Sequence, residues 1–125
     1  MLVDVTICHP MAAKYQPHAS NEAGAAATKA AGKKYQRYPA AGGREITPFA
    51  VETWGRMDAA AEHLLVDLAA ITSRRAMMRG QAVTASACLK KWRATLDATL
   101  QRGVAKSLVA SFYGLPGRFH HRRWT

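Results

Sequence analysis

Ile46-Thr47-Pro48-Phe49-Ala50-Val51-Glu52-Thr53-Trp54-Gly55 is the stretch that decides the fold, and it predicts a β-strand. Phe49 and Val51 alternate with other residues in a run flanked by β-branched side chains. Pro48 cannot donate to a sheet, so it must lie near the start of the strand or on an edge. Glu52 stands out, because a buried carboxylate is costly unless it is paired or binds a cation. The sequence leaves open whether Glu52 is such a residue or faces water on a half-exposed strand.

A second strand and a helix precede this stretch. Leu2–Cys8 has apolar residues at alternate positions, with Asp4 on the opposite face, and predicts a strand. Met11–Ser20 is predicted to be a loop. The alanine-rich segment Glu22–Tyr38 predicts a helix that Pro39 ends. The order strand, helix, strand predicts a βαβ unit with parallel strands and a right-handed crossover.

Two amphipathic helices are predicted to follow, over Arg56–Arg75 and Ala82–Phe112, because apolar residues recur there every three or four positions. The expected fold class is therefore α/β: a short parallel sheet with a crossover helix, followed by two helices packed on the sheet. Residues 1–114 form the predicted domain, and residues 115–125 form a basic flexible tail.

Charge and cysteine content limit the partners and the compartment. The 125 residues include 18 Lys and Arg against 8 Asp and Glu, a formal net charge of +10. This excess favours polyanions, with DNA or RNA ahead of an anionic membrane. Cys8 and Cys88 have no CxxC spacing, no 18-residue apolar run is present, and the first residues predict no secretion signal. We therefore expect no membrane partner and an intracellular location, with the nucleus as one candidate compartment.

Basic residues mixed with tyrosines mark the predicted crossover helix. Lysines beside aromatic rings suit contact with a phosphate backbone and stacking on bases. The alternative for each lysine is an ordinary solvated position matched to the helix dipole. The predicted nucleic-acid-binding residues are Lys29, Lys33 and Arg37 on the helix, and Arg122 and Arg123 in the tail.

Motifs of most catalytic classes are absent from the sequence, including GxSxG, the P-loop, GxGxxG after a strand, and HExxH. Two carboxylates on adjacent predicted strands remain, Asp4 and Glu52, with lysines on the helix between them. Carboxylates that hold Mg²⁺, with a lysine near the phosphate, are what phosphodiester hydrolysis requires.

Three segments together carry a family resemblance: Val3-Asp4-Val5-Thr6-Ile7-Cys8-His9-Pro10, Lys34-Tyr35-Gln36-Arg37-Tyr38, and Thr47 to Gly55. In this order, over about residues 2–70, the chain resembles the restriction-endonuclease-like domain that follows the reverse transcriptase in non-LTR retrotransposons. That domain belongs to the PD-(D/E)XK nuclease superfamily. The resemblance implies an ancestral chemistry of metal-dependent DNA nicking.

The resemblance also implies roles for four residues. Asp4 and Glu52 become metal-binding acids for Mg²⁺, Lys34 becomes the catalytic lysine moved from strand to helix, and Tyr38 lies beside it. In the family, a further strand and an earlier acidic residue precede the D-V-T strand, with which this sequence begins. We therefore expect one metal ligand and one strand to be missing, and nicking to be lost.

The leading hypothesis is thus an endonuclease-like domain that contacts nucleic acid without cleaving it. One alternative is a non-catalytic basic binding module of other origin, and another is a gene remnant without a selected function. The uncapped edge of the first strand also predicts a homodimer formed through that strand. The sequence does not specify a target site or a preference between DNA and RNA.

Overall fold

The computed structural model describes residues 1–39 and 45–114, which form two strands and four helices. In chain order these are β1 (Leu2–Cys8), α1 (Gln16–Ala19), α2 (Ala25–Arg37), β2 (Ile46–Glu52), α3 (Ala59–Met78) and α4 (Ala85–Tyr113). The predicted α/β class is confirmed. None of the helices in the described ranges is long and apolar enough to cross a membrane. The predicted basic tail lies outside the described residues.

The two strands pair in parallel, as predicted, with Leu2 opposite Ile46 and Cys8 opposite Glu52. Pro48 is fully buried in β2, where its missing N–H is tolerated because, among the described residues, β2 has one neighbouring strand and is an edge strand. Side chains alternate along a strand, so this register puts Asp4, Cys8 and Glu52 on the same face of the sheet.

Helix α2 covers that face with alanine. Ala26, Ala27, Ala30 and Ala31 are buried and belong to a core that also contains Cys8, Tyr15 and Ala50. Small side chains let the helix backbone approach the sheet closely, and alanine has the highest helix propensity. The helix begins after Gly24, which has a left-handed φ of 87°, and so starts later than the predicted Glu22.

The segment between β1 and α2 contains one turn of helix, so the prediction of a loop over Met11–Ser20 was wrong in part. Helix α1 spans Gln16–Ala19, and Pro17 lies in its first turn, where a missing N–H has no cost. This short helix follows Tyr15, whose ring is buried beneath α2.

Helices α3 and α4 are both capped by their preceding polar residues. Asp58 accepts a hydrogen bond from the N–H of Ala60 at 3.1 Å, and Thr84 accepts one from Ala87 at 3.1 Å. Helix α3 packs on β2, whereas α4 packs on α3. The prediction that both helices pack on the sheet was therefore wrong for α4, and much of its C-terminal apolar surface is exposed, including Leu108.

Candidate nucleic-acid interface

Asp4 and Lys34 form an ion pair across the interface between the sheet and α2. The Lys34 Nζ lies 3.0 Å from the Asp4 Oδ2, and both side chains are mostly shielded from water. Their position follows from the fold, because α2 runs back along the face of β1 that carries Asp4. Two residues to which the resemblance assigns catalytic roles are therefore in direct contact.

Glu52 has a different environment, at the other end of α2. Its side chain is buried, with the residue only 4% exposed, and its Oε1 accepts a hydrogen bond from the N–H of Ala27 at 3.3 Å. The residue preceding the helix, Gly24, supplies no side-chain cap. The carboxylate therefore satisfies a free N–H in the first turn of α2 and lies at the positive end of the helix dipole. The alternative in which Glu52 faces water was wrong.

The two carboxylates do not lie together. Glu52 is opposite Cys8 in the sheet, four residues further along β1 than Asp4, which corresponds to about 13 Å at the usual strand rise. Within residues 1–39 and 45–114, no group of three or more His, Cys, Asp and Glu side chains is placed to hold a metal ion. The described residues thus do not fit a Mg²⁺ shared by Asp4 and Glu52, and Mg²⁺ binding stays a prediction.

Tyr38, the remaining predicted catalytic residue, follows the last residue of α2 and is exposed. The guanidinium of Arg37 lies over its ring, 5.6 Å from the centroid. The two side chains thus present a cation and an aromatic ring at the C-terminal end of the helix. Arg122 and Arg123 lie outside the described residues.

Two lysines lie over the ring of Tyr15, and a third contacts the backbone beside it. The Nζ atoms of Lys14 and Lys33 lie 4.9 and 5.6 Å from the ring centroid, and the Nζ of Lys29 donates to the Lys14 carbonyl oxygen at 2.9 Å. Desolvation lowers the pKa of Lys14 below its usual value, and the positive charges of Lys33 and Lys29 lower it as well. We refer to Lys14, Lys29 and Lys33 as the basic cluster.

The sequence pattern did not mark Lys14 as a binding residue, because it lies in the segment predicted to be a loop. Its spacing from Lys29 gives no signal, since the two residues meet only when α2 folds back against that segment. The available signal was the dipeptide Lys14-Tyr15, which repeats the lysine-tyrosine order of Lys34-Tyr35. A lysine beside a buried tyrosine can pack its apolar stem on the ring while its ammonium group stays in water.

Cys8 lies near both Glu52 and the basic cluster, but it is not suited to nucleophilic chemistry. Burial raises its pKa, and the Glu52 carboxylate raises it further, to about 11. The thiol is therefore protonated at neutral pH, and the thiolate is the nucleophilic form of cysteine.

Comparisons with protein-family models, curated proteins and solved structures give no match to this chain. The resemblance to the retrotransposon endonuclease-like domain therefore stays a prediction. The contact between Asp4 and Lys34 is compatible with it. The use of the Glu52 carboxylate at the start of α2 differs from the metal-ligand role that the resemblance implies.

Proposed function

We propose that the chain is a retrotransposon-derived, restriction-endonuclease-like domain that contacts nucleic acid through the basic cluster and does not cleave it. The observation that carries this proposal is the basic cluster, in which Lys14 and Lys33 lie over the buried Tyr15 ring and Lys29 contacts the backbone of Lys14. The ion pair between Asp4 and Lys34 supports the endonuclease-like ancestry.

The basic cluster is suited to phosphate for an electrostatic reason. The charges of Lys33 and Lys29 both act on Lys14, and a bound phosphate would offset this repulsion. Tyr15 is buried and contacts two of the lysines, so part of the entropy of ordering those side chains is already lost before binding. The formal net charge of +10 adds a long-range attraction that draws a polyanion to the surface.

The proposed domain does not cleave nucleic acid, because both carboxylates that the resemblance assigns to metal binding have other partners. Asp4 faces the Lys34 ammonium, and Glu52 accepts from the backbone of α2. We expect supercoiled plasmid to remain intact with Mg²⁺, with Mn²⁺ and with EDTA. Metal-dependent nicking that disappears in Asp4→Ala would contradict this part of the proposal.

Binding is tested with a triple variant in which Lys14, Lys29 and Lys33 become glutamine. Its affinity for labelled DNA and RNA oligonucleotides of the same sequence is measured by fluorescence anisotropy. The matched control removes the same charge from α4, at the exposed residues Lys90, Lys91 and Lys106. We expect the basic-cluster variant to lose at least tenfold in affinity, because about three phosphate contacts are weakened, and we expect the affinity of the control to change little. Equal losses in both variants would refute a specific role for the cluster.

We also propose that β1 forms a homodimer with a second copy of this chain. Val3 and Val5 are 41% and 61% exposed, and β1 pairs with only one strand in the described sheet. Antiparallel pairing of two β1 strands about Val5 would place Val3 opposite Ile7 of the other copy, so the apolar positions match. Sedimentation equilibrium should show a dimer that Val5→Lys converts to a monomer, and a monodisperse wild-type monomer at high concentration would refute the pairing.

A further inference from the structure

Three residues that the proposed function does not use meet at the carboxyl ends of the two strands. His9 follows β1, and Thr53 and Trp54 follow β2. The His9 Nδ1 lies 2.8 Å from the Thr53 Oγ1, at hydrogen-bond distance. The rings of His9 and Trp54 are nearly perpendicular, at 83°, with their centroids 5.9 Å apart. The hydrogen bond and the ring contact together fix the histidine beside the indole.

Trp54 is held on an ordered turn although it is 64% exposed. The N–H of Gly55 donates to the Glu52 carbonyl oxygen at 2.8 Å, and the N–H of Glu52 donates to the Arg56 carbonyl oxygen at 2.7 Å. Gly55 has a φ of 93°, a conformation that favours glycine and makes the tight turn possible. Because the turn is already ordered, a ligand that stacks on the Trp54 ring orders little additional backbone when it binds.

We propose that Trp54, oriented by His9, is a stacking site for an unpaired base of single-stranded nucleic acid. This inference rests on the proposed function, since it supplies base contacts to a chain already argued to bind phosphates. Ligands of parallel α/β sheets bind beyond the carboxyl ends of the strands, which is where Trp54 lies. An exposed indole offers a flat ring face that any base can stack on, without sequence preference.

Lys14, the cluster residue that is not on α2, lies on the segment that leaves the carboxyl end of β1, where His9 is. Hydrogen bonds tie this segment together: the N–H of Ala12 donates to the His9 carbonyl oxygen at 3.0 Å, and the N–H of Tyr15 donates to the Ala12 carbonyl oxygen at 2.8 Å. A single strand that places its phosphates on the cluster can therefore place a base on Trp54. In a duplex the base faces are covered by neighbouring bases, so the inference predicts a preference for single strands.

The test uses the full chain and three labelled oligonucleotides of one length: oligothymidylate, an abasic strand and a duplex. We expect Trp54→Ala to lower the affinity for oligothymidylate about tenfold, the usual loss of one stacked base, and to leave the affinity for the abasic strand unchanged. Trp54→Phe, which keeps a ring, should retain most of the affinity. Tyr113→Ala is the matched control, because it removes an exposed ring from α4.

Indole fluorescence gives a second readout, because a base stacked on Trp54 quenches it. Oligothymidylate should quench the fluorescence of a chain in which Trp92 and Trp124 are changed to phenylalanine, so that Trp54 is the remaining indole, and the quenching should be lost when Trp54→Phe is added. Unchanged affinity in Trp54→Ala, with loss in the basic-cluster variant, would overturn the stacking site and leave the proposed function standing. Absence of binding of every oligonucleotide to wild type would overturn both.

Discussion

Glu52 provides the sharpest mutational test of the fold, because its charge supports the start of α2. Glu52→Gln keeps the volume of this buried side chain and removes the charge next to the Ala27 N–H. A buried anion at a helix N-terminus stabilises by up to about 2 kcal/mol. We therefore expect Glu52→Gln to lower the free energy of unfolding by about 1–2 kcal/mol. Glu52→Ala also removes the acceptor and leaves a cavity, so we expect a loss of about 3 kcal/mol or more.

Urea unfolding followed by circular dichroism at 222 nm measures these losses, and thermal unfolding should show a decrease in Tm of roughly 3–5 °C per kcal/mol for a chain of this size. Glu45→Gln is the matched control, because Glu45 is an exposed glutamate just before β2. Its variant should stay within about 0.5 kcal/mol of wild type.

Two results would refute this reasoning about Glu52. The first is a Glu52→Gln variant as stable as Glu45→Gln. The second is a rise in wild-type Tm with Mg²⁺ that Glu52→Gln abolishes, since the carboxylate would then serve a cation. A wild-type chain that shows no cooperative transition would instead favour the gene-remnant alternative.

Three further predictions concern other parts of the fold. Folding raises the pKa of Cys8 from 9.0 to about 11, so the thiol of the unfolded chain ionises at a lower pH than that of the folded chain. Between pH 8 and pH 11, the free energy of unfolding measured by urea titration should therefore fall by about 2 kcal/mol more for wild type than for Cys8→Ala. A double-mutant cycle with Asp4→Asn and Lys34→Met should give a coupling free energy of about 1 kcal/mol, and strictly additive losses would contradict the ion pair. Gly55→Ala should lower the free energy of unfolding by about 1–2 kcal/mol, because residue 55 has a positive φ that alanine disfavours. The added Cβ would lie 2.8 Å from the Asp97 carboxylate, but adding Asp97→Ala to Gly55→Ala should not restore the lost stability, because the backbone strain remains.

Local patterns in the sequence were sufficient to predict most of the secondary structure. The alternation in Leu2–Cys8 and Ile46–Glu52 reflects side chains on two faces of a strand, and the parallel pairing followed from the helix between them. Long helices were also predicted, because their apolar periodicity extends over many turns. The short helix α1 was missed because one turn has no periodicity, and its proline resembles a loop signal.

The candidate site depended on tertiary register, which the sequence does not contain. Asp4 and Glu52 are both strand acids, but only the pairing of Asp4 with Pro48 and of Cys8 with Glu52 sets them four residues apart. The basic cluster likewise requires Lys14 to meet residues of α2 that lie 15 and 19 positions away in the chain.

The salt dependence of DNA binding tests the central claim most directly. The logarithm of the association constant falls with the logarithm of the salt concentration by about 0.9 per phosphate contact on duplex DNA and about 0.7 on a single strand. We predict that changing Lys14, Lys29 and Lys33 to glutamine reduces this slope by about 2–3. The α4 control variant at Lys90, Lys91 and Lys106 should keep the wild-type slope. A basic-cluster variant with the wild-type slope, or equal reductions in both variants, would contradict the account.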